Sequence, residues 1–361
     1  MTTISFNQLT ETVAARRWLG SPPASARLDS METNVAHVLP GGTYWETSRE
    51  ACPERIQEAY RRGATGVVAA AEIKPPSGCW SLQVDDAEQA LRRLVAWSRN
   101  RFEGQVACVA GGIGKSTIRS MIHAVLGIEP DPEPRWESDD ENDPLGFACC
   151  FLKLASRGDL VILELGSLAS EDAERWAEAL RPTLTVIAPL GDRGVNGDEH
   201  QQQTERRIAA LLRGLPEGSR VAADGEESWT RKLVEAAAGT LPYWFGRTGD
   251  CDLTASRVRS QGGRLGFEIN GVAHAASAWG RHHLSSALAA AAAGTLLGSS
   301  PEKIVEGLAG FQTPPMRCEV FRAAGIHLIN DAWQATPQSM AAALELLRDF
   351  DSPGRKIAFL G

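Results

Sequence analysis

The run Gly111-Gly112-Ile113-Gly114-Lys115-Ser116-Thr117 constrains this chain more than any other stretch. A short apolar segment, Gln105-Val106-Ala107-Cys108-Val109-Ala110, leads into it, and residues 117–126 carry a helical pattern that stops at Gly127. Strand, glycine bend and helix in that order are the setting a phosphate-binding loop needs. Gly111 and Gly114 permit positive φ, which turns backbone N–H groups toward an anion. Lys115 supplies a point charge for β and γ phosphates, Ser116 a hydroxyl for Mg2+, and the helix from Thr117 its positive end. The spacing is shorter than the full phosphate-loop pattern, since Val109 stands where that pattern has glycine. The competing reading is a glycine-rich turn with an incidental lysine.

Around this loop the pattern is that of an α/β protein. Residues 66–70, 80–84, 105–110, 160–165, 184–189 and 220–223 read as short buried strands, and 56–62, 87–100 and 117–126 as helices. Such alternation predicts a parallel sheet covered on both faces. At roughly 150 residues per domain, 361 residues suit two or three domains. Breaks in the pattern place them at 1–103, a small α/β unit, 104–312, the central phosphate-loop unit, and 313–361. The last holds strands at 319–321, 327–329 and 356–360 and a helix at 337–347, with Pro337 in its first turn. That is too little to cover a parallel sheet, so the third unit reads as incomplete. Residues 129–143 are Pro- and acid-rich and read as a surface loop; the Ala-rich run 287–297 reads as a close-packed helix.

Bulk properties exclude several classes. A formal net charge of −8 without a dense Lys/Arg run argues against nucleic acid. Seven cysteines without a Cys-x-x-Cys argue against a disulfide framework or a zinc site, and for reduced thiols. Met1-Thr2-Thr3-Ile4-Ser5-Phe6 has neither the basic nor the apolar region of a signal peptide, and no run approaches the ~18 apolar residues of a membrane span. The expectation is a cytoplasmic protein with no membrane or nucleic-acid partner.

Further blocks accompany the loop: Ala59-Tyr60-Arg61-Arg62-Gly63-Ala64-Thr65-Gly66-Val67-Val68, Val84-Asp85-Asp86 and Val161-Ile162-Leu163-Glu164-Leu165-Gly166. Later come Gly280-Arg281-His282-His283 with Ala287-Leu288-Ala289-Ala290, then Pro315-Met316-Arg317, then Asn330-Asp331-Ala332-Trp333-Gln334-Ala335-Thr336-Pro337. In order and spacing these resemble the Mur ligase family over nearly the whole chain. The resemblance implies an ATP-dependent amide ligase of peptidoglycan precursor synthesis. A carboxylate attacks the γ-phosphate of ATP, and an amine then displaces phosphate from the acyl phosphate. It implies ATP and Mg2+ as cofactors, and a UDP-muramoyl peptide and an amino acid or dipeptide as substrates. It makes residues 1–103 the UDP-sugar-binding segment, 104–312 the ATPase, and 313–361 the start of a Rossmann-like ligase domain. By the same resemblance Glu164 binds metal, Asn142 lies near the reacting groups, His282 lies near adenine, and Arg317 and Asp331 lie near the nucleotide.

The sequence departs from the family at defined places. No histidine occurs in 191–196, where the family has a metal ligand, and His200 is the first beyond. Thr204-Glu205-Arg206-Arg207 replaces the stretch holding a lysine that becomes carbamylated, and arginine cannot form a carbamate. The family's third domain continues beyond the position of Gly361 and closes over ATP, and a partner supplying that lid is one of the expectations. Three readings therefore stand: a ligase, a degenerate Mur-like nucleotide-binding protein without ligase activity, and a plain phosphate-loop NTPase.

Overall fold

A computed structural model describes residues 3–128, 144–166, 168, 170–189, 197–261, 264–333, 335 and 337–360. The chain divides into two compact units. The first is Met1–Cys108, Glu133–Thr183 and Gly214–Pro216; the second is Val109–Pro132, Leu184–Arg213 and Glu217–Gly361. Asn142, the loop 129–143, residues 191–196, Gln334 and Thr336 lie outside the described residues, as does the side chain of His200.

The first unit opens with seven short strands: β1 (Thr3–Ser5), β2 (Arg17–Gly20), β3 (Ser25–Arg27), β4 (Met31–Glu32), β5 (Thr43–Glu46), β6 (Gly66–Ala69) and β7 (Trp80–Gln83). Strands β1 and β3 pair antiparallel. The others form one sheet in the order β2-β7-β6-β5-β4, parallel except for β2 at the edge. All four residues of β6 are buried, as its apolar run requires. A side chain at Gly66 would run into the ring of Trp80, so only glycine lets that ring cover the strand. Helix Ala87–Arg99 follows, its first turn capped by Asp86, which accepts from the Gln89 amide at 2.9 Å. Helices Gly146–Leu154 and Ser170–Leu180 meet through Phe147 and Trp176, packed edge to face at 4.9 Å. Strand β9 (Leu160–Glu164) belongs to this unit, and β8 (Gln105–Gly111) begins in it and ends in the second.

The second unit carries β10 (Leu184–Ala188), β11 (Arg220–Asp224), β12 (Leu241–Gly246) and β13 (Leu253–Gln261), each parallel to the next. The sheet then turns antiparallel through β14 (Arg264–Ile269) and β15 (Val272–Trp279). This antiparallel extension is absent from the sequence reading. Helix Lys115–Leu126 packs against helices His283–Leu296 and Pro301–Gly310. The Ala-rich helix is buried from Ser286 to Gly294, which confirms the close packing expected of it. A Cβ on Gly294 would meet Val125 at 3.0 Å, and one on Gly307 would fall on the Ala124 carbonyl, so glycine sets how closely these helices approach. No helix among the described residues is long and apolar enough to cross a membrane.

Strands β16 (Glu319–Ala323) and β17 (Ile326–Asn330) form a separate antiparallel hairpin. Its two-residue turn, Ala324-Gly325, has φ of 49° and 78°, the paired positive values a tight hairpin loop demands. Helix Pro337–Asp349 follows. Residues 356–360 correct the sequence reading: they form no strand. Their apolar side chains lack a partner face, Phe359 being 94% exposed, and no strand among the described residues pairs with them.

Helix Lys115–Leu126 also carries His123, whose imidazole burial holds down to about 4, with the Arg119 charge adding to the effect. A histidine depressed in the folded state favours folding above its unfolded value near 6.5, and that contribution is lost as pH falls toward 4. We expect the melting temperature to drop between pH 6.5 and 4, by the equivalent of a few kcal/mol. His123→Gln should be less stable than the parent at pH 7 and should close that gap at pH 4.5. Parallel melting curves for the two proteins check this.

Candidate functional site

The site begins where β8 ends. Gly111 sits at φ 136°, and a Cβ there would fall on the carbonyl oxygen of Ala188 in β10. No other residue lets the chain leave the strand so close to its neighbour. The next two amides are tied down: Gly112 N and Ile113 N donate to the Pro189 carbonyl at 3.1 and 2.8 Å. Gly114, at φ 82°, then caps helix Lys115–Leu126. Both glycines predicted to need positive φ have it.

These bonds decide which groups can face an anion. Gly112 and Ile113 shape the bend, and their amides point at Pro189. The amides of Lys115, Ser116 and Thr117 belong to the first helical turn, where no intrahelical acceptor exists and the dipole is positive. The Lys115 ammonium folds back onto the Gly112 carbonyl at 3.1 Å. Among the described residues it has no carboxylate partner. Ser116 and Thr117 are buried beneath it.

Helix His283–Leu296 borders the loop. Ser286 Oγ is the nearest group to Gly114, 3.4 Å from where a Cβ would stand. Its neighbour Ser285 donates to Asp224 Oδ2 at 3.3 Å. Asp224 ends β11, at the C-terminal edge of parallel strands, where ligands bind in open α/β sheets. Burial pushes its carboxyl up, opposed by the Glu226 amide at 2.9 Å and by Ser285. Sequence reasoning missed Asp224, Ser285 and Ser286. An acid closing an apolar strand was the available signal for the first.

A second group gathers the other predicted residues of this unit. His282 precedes the helix, and its Nε2 lies 3.6 Å from the Cys318 sulfur. Asp331 Oδ1 accepts from the Cys318 amide at 2.9 Å. Arg317 lies over the Trp333 ring at 5.5 Å. The intervening turn is strained, with Met316 at φ 60° and Cys318 at φ 52°. Thus His282, Asp331 and Arg317 converge, around a cysteine the sequence did not single out. In the first unit, Glu164 closes β9 as a carboxylate only 2% exposed.

No profile of a known protein family matches the chain. Curated relatives do. The UDP-N-acetylmuramoyl-tripeptide–D-alanyl-D-alanine ligase of Bacillus subtilis is 26% identical over 310 residues, 85% of this chain and 66% of the relative. The chain thus spans just under two thirds of that enzyme. Among solved structures, MurF from Acinetobacter baumannii superposes with a TM-score of 0.80 at 20% identity, over 97% of this chain and 77% of that one. MurF ligase from Thermotoga maritima, solved in complex with ADP, gives 0.72 at 18% identity over 90% and 76%. At these identities the structural likeness concerns the fold.

Proposed function

We infer from the chain's place in the Mur ligase family that it is an ATP-dependent, ADP-forming ligase of peptidoglycan precursor synthesis, joining a UDP-muramoyl-peptide carboxylate to an amine. The observation that carries this reading is the Gly114–Lys115 turn: a helix start whose ammonium has no carboxylate partner among the described residues, at the end of a buried strand. In this reading the 115–117 amides and Lys115 take the β and γ phosphates, Lys115 leaving the Gly112 carbonyl for a stronger, charge-assisted bond. Negative charge grows on the transferred phosphoryl group, and a fixed ammonium and helix end oppose it without reorganising. Ser116 and Glu164 offer a hydroxyl and a carboxylate, hard oxygen donors of the kind Mg2+ takes. Mg2+, when bound, would neutralise phosphoryl oxygens. His282, Arg317 and Asp331 are assigned to the nucleoside side, and the protein to the cytoplasm.

The test is phosphate release with ATP, Mg2+, UDP-muramoyl tripeptide and D-alanyl-D-alanine, each omitted in turn. The ligase reading expects release only when both organic substrates are present. Release without either would make the chain a plain ATPase, and none despite nucleotide binding would make it a degenerate binder. Glu164→Gln is expected to lower Mg2+-dependent turnover about 100-fold while leaving nucleotide affinity within a few-fold. Equal loss of both in a titration and a turnover assay would remove its metal role.

A further inference from the structure

We propose that His282, His283 and Cys318 form a binding site for a borderline divalent transition metal of the zinc type. The residues come from two segments, the start of helix His283–Leu296 and the turn before β16. One donor atom from each lies within 4.8 Å of the others. The Cys318 sulfur and His282 Nε2 are 3.6 Å apart. With metal–sulfur and metal–nitrogen bonds of about 2.3 and 2.0–2.1 Å, one edge of a tetrahedron is also about 3.6 Å. The Cys318–His282 pair therefore already stands at the separation a bound ion would impose, with a His283 nitrogen within 4.8 Å of both.

The same 3.6 Å also suits a weak thiol–imidazole hydrogen bond, and His283 separates the two cases. Its ring is 6% exposed, and its Nε2 is buried with no hydrogen-bond partner among the described residues. A buried imidazole nitrogen normally finds one. A neutral imidazole has one ring nitrogen with a lone pair to give a metal. One nitrogen and one sulfur ligand alone would suit many ions; two imidazoles with a thiolate favour borderline ions such as zinc, cobalt and copper over hard ones such as Mg2+. On binding, the Cys318 S–H bond breaks, a metal–sulfur bond forms and the proton passes to solvent.

Neighbours support the ligands. Gly280, at φ 95°, has no Cβ, and a Cβ there would stand 2.5 Å from His282 Cε1 and 2.6 Å from Nδ1. Its absence lets the ring lie against the backbone with Nε2 turned to Cys318. Asp331 holds the Cys318 amide and places a carboxylate beside the single net positive charge that a thiolate and a divalent ion leave. His282 is exposed, which gives the ion an entry path and leaves a fourth position for water. The ion would tie the β16–β17 hairpin to the helix start. This site stands whether or not the chain is a ligase.

Metal-free protein titrated with Co2+ tests it. One equivalent should bind with the visible spectrum of a tetrahedral site and a near-ultraviolet thiolate-to-cobalt band, and Zn2+ should displace it. Cys318→Ser should lose the thiolate band and bind Zn2+ at least 100-fold more weakly, and His283→Gln should weaken binding similarly, with circular dichroism confirming that each folds. Where Cys318→Ser does not fold, the parent with the half-exposed Cys52, Cys79 and Cys251 replaced by serine decides, because it should keep the band. A six-coordinate spectrum without the sulfur band, or equal Zn2+ affinity in parent and Cys318→Ser, would overturn the proposal.

Discussion

Lys115→Ala is expected to weaken ATP binding about 100-fold, or ~3 kcal/mol, and to leave the melting temperature within about 1 °C of the parent. Both halves follow from the surroundings of the side chain. Its ammonium is half-buried, and its bond in the absence of nucleotide is to the Gly112 carbonyl, an acceptor the solvent can satisfy instead. Removing it opens no cavity in the core and, among the described residues, strands no buried carboxylate. With triphosphate present the ammonium meets several negative charges, and a charge-assisted bond is the strong kind. Lys115→Arg should not restore affinity, since a planar fork cannot replace a compact ammonium in so tight a bend. Displacement of a fluorescent ATP analogue, with melting curves for each variant, measures both quantities. An affinity unchanged by the substitution would make the lysine incidental.

Gly111→Ala should do more damage, to the fold as well as to binding. Its φ of 136° lies where side-chain-bearing residues are strained, and the new methyl would sit on the Ala188 carbonyl, which is backbone and cannot swing aside. To relieve that contact the loop must leave Pro189 and give up the bonds from Gly112 and Ile113. We expect a stability loss of about 3–5 kcal/mol and loss of ATP binding by whatever remains folded. Gly114→Ala provides the contrast. Its φ of 82° is also strained, but the nearest atom is Ser286 Oγ at 3.4 Å, so the loss should be about 1–2 kcal/mol. Urea unfolding of the two variants gives the comparison; equal losses would mean that contact with Ala188 is not what fixes the loop.

The loop was legible in the sequence because its determinants are local. Two glycines, a lysine and a flanking apolar strand act over a few residues, and both glycines adopt the conformation they were read to need. Strands such as β6, β8 and β10 were legible for a similar reason, being apolar runs buried on both faces. Strands β13 to β15 were not. Their signal is an alternation, Leu265, Phe267 and Ile269 buried with Gly266 and Glu268 half-exposed between them, and in β13 it lapses after Ala255 into the exposed Ser256, Arg257 and Arg259. Residues 356–360 failed the other way, since a run of apolar residues becomes a strand only with a neighbour to pair with. The rest of the site depends on tertiary approach. Ser286 reaches the loop from 172 positions beyond Gly114, and Cys318 meets His282 across 36. No local pattern announces either meeting, and the cysteine count, read without the fold, pointed away from a metal.

Amide hydrogen exchange across residues 109–120, with and without ATP and Mg2+, tests the central claim most directly. Exchange at Lys115, Ser116 and Thr117 should slow at least tenfold when nucleotide binds, because their N–H groups then donate to phosphate oxygens. Those of Gly112 and Ile113, already held by Pro189, should change much less. Unaltered exchange at 115–117 under saturating nucleotide, with protection arising elsewhere, would contradict the account.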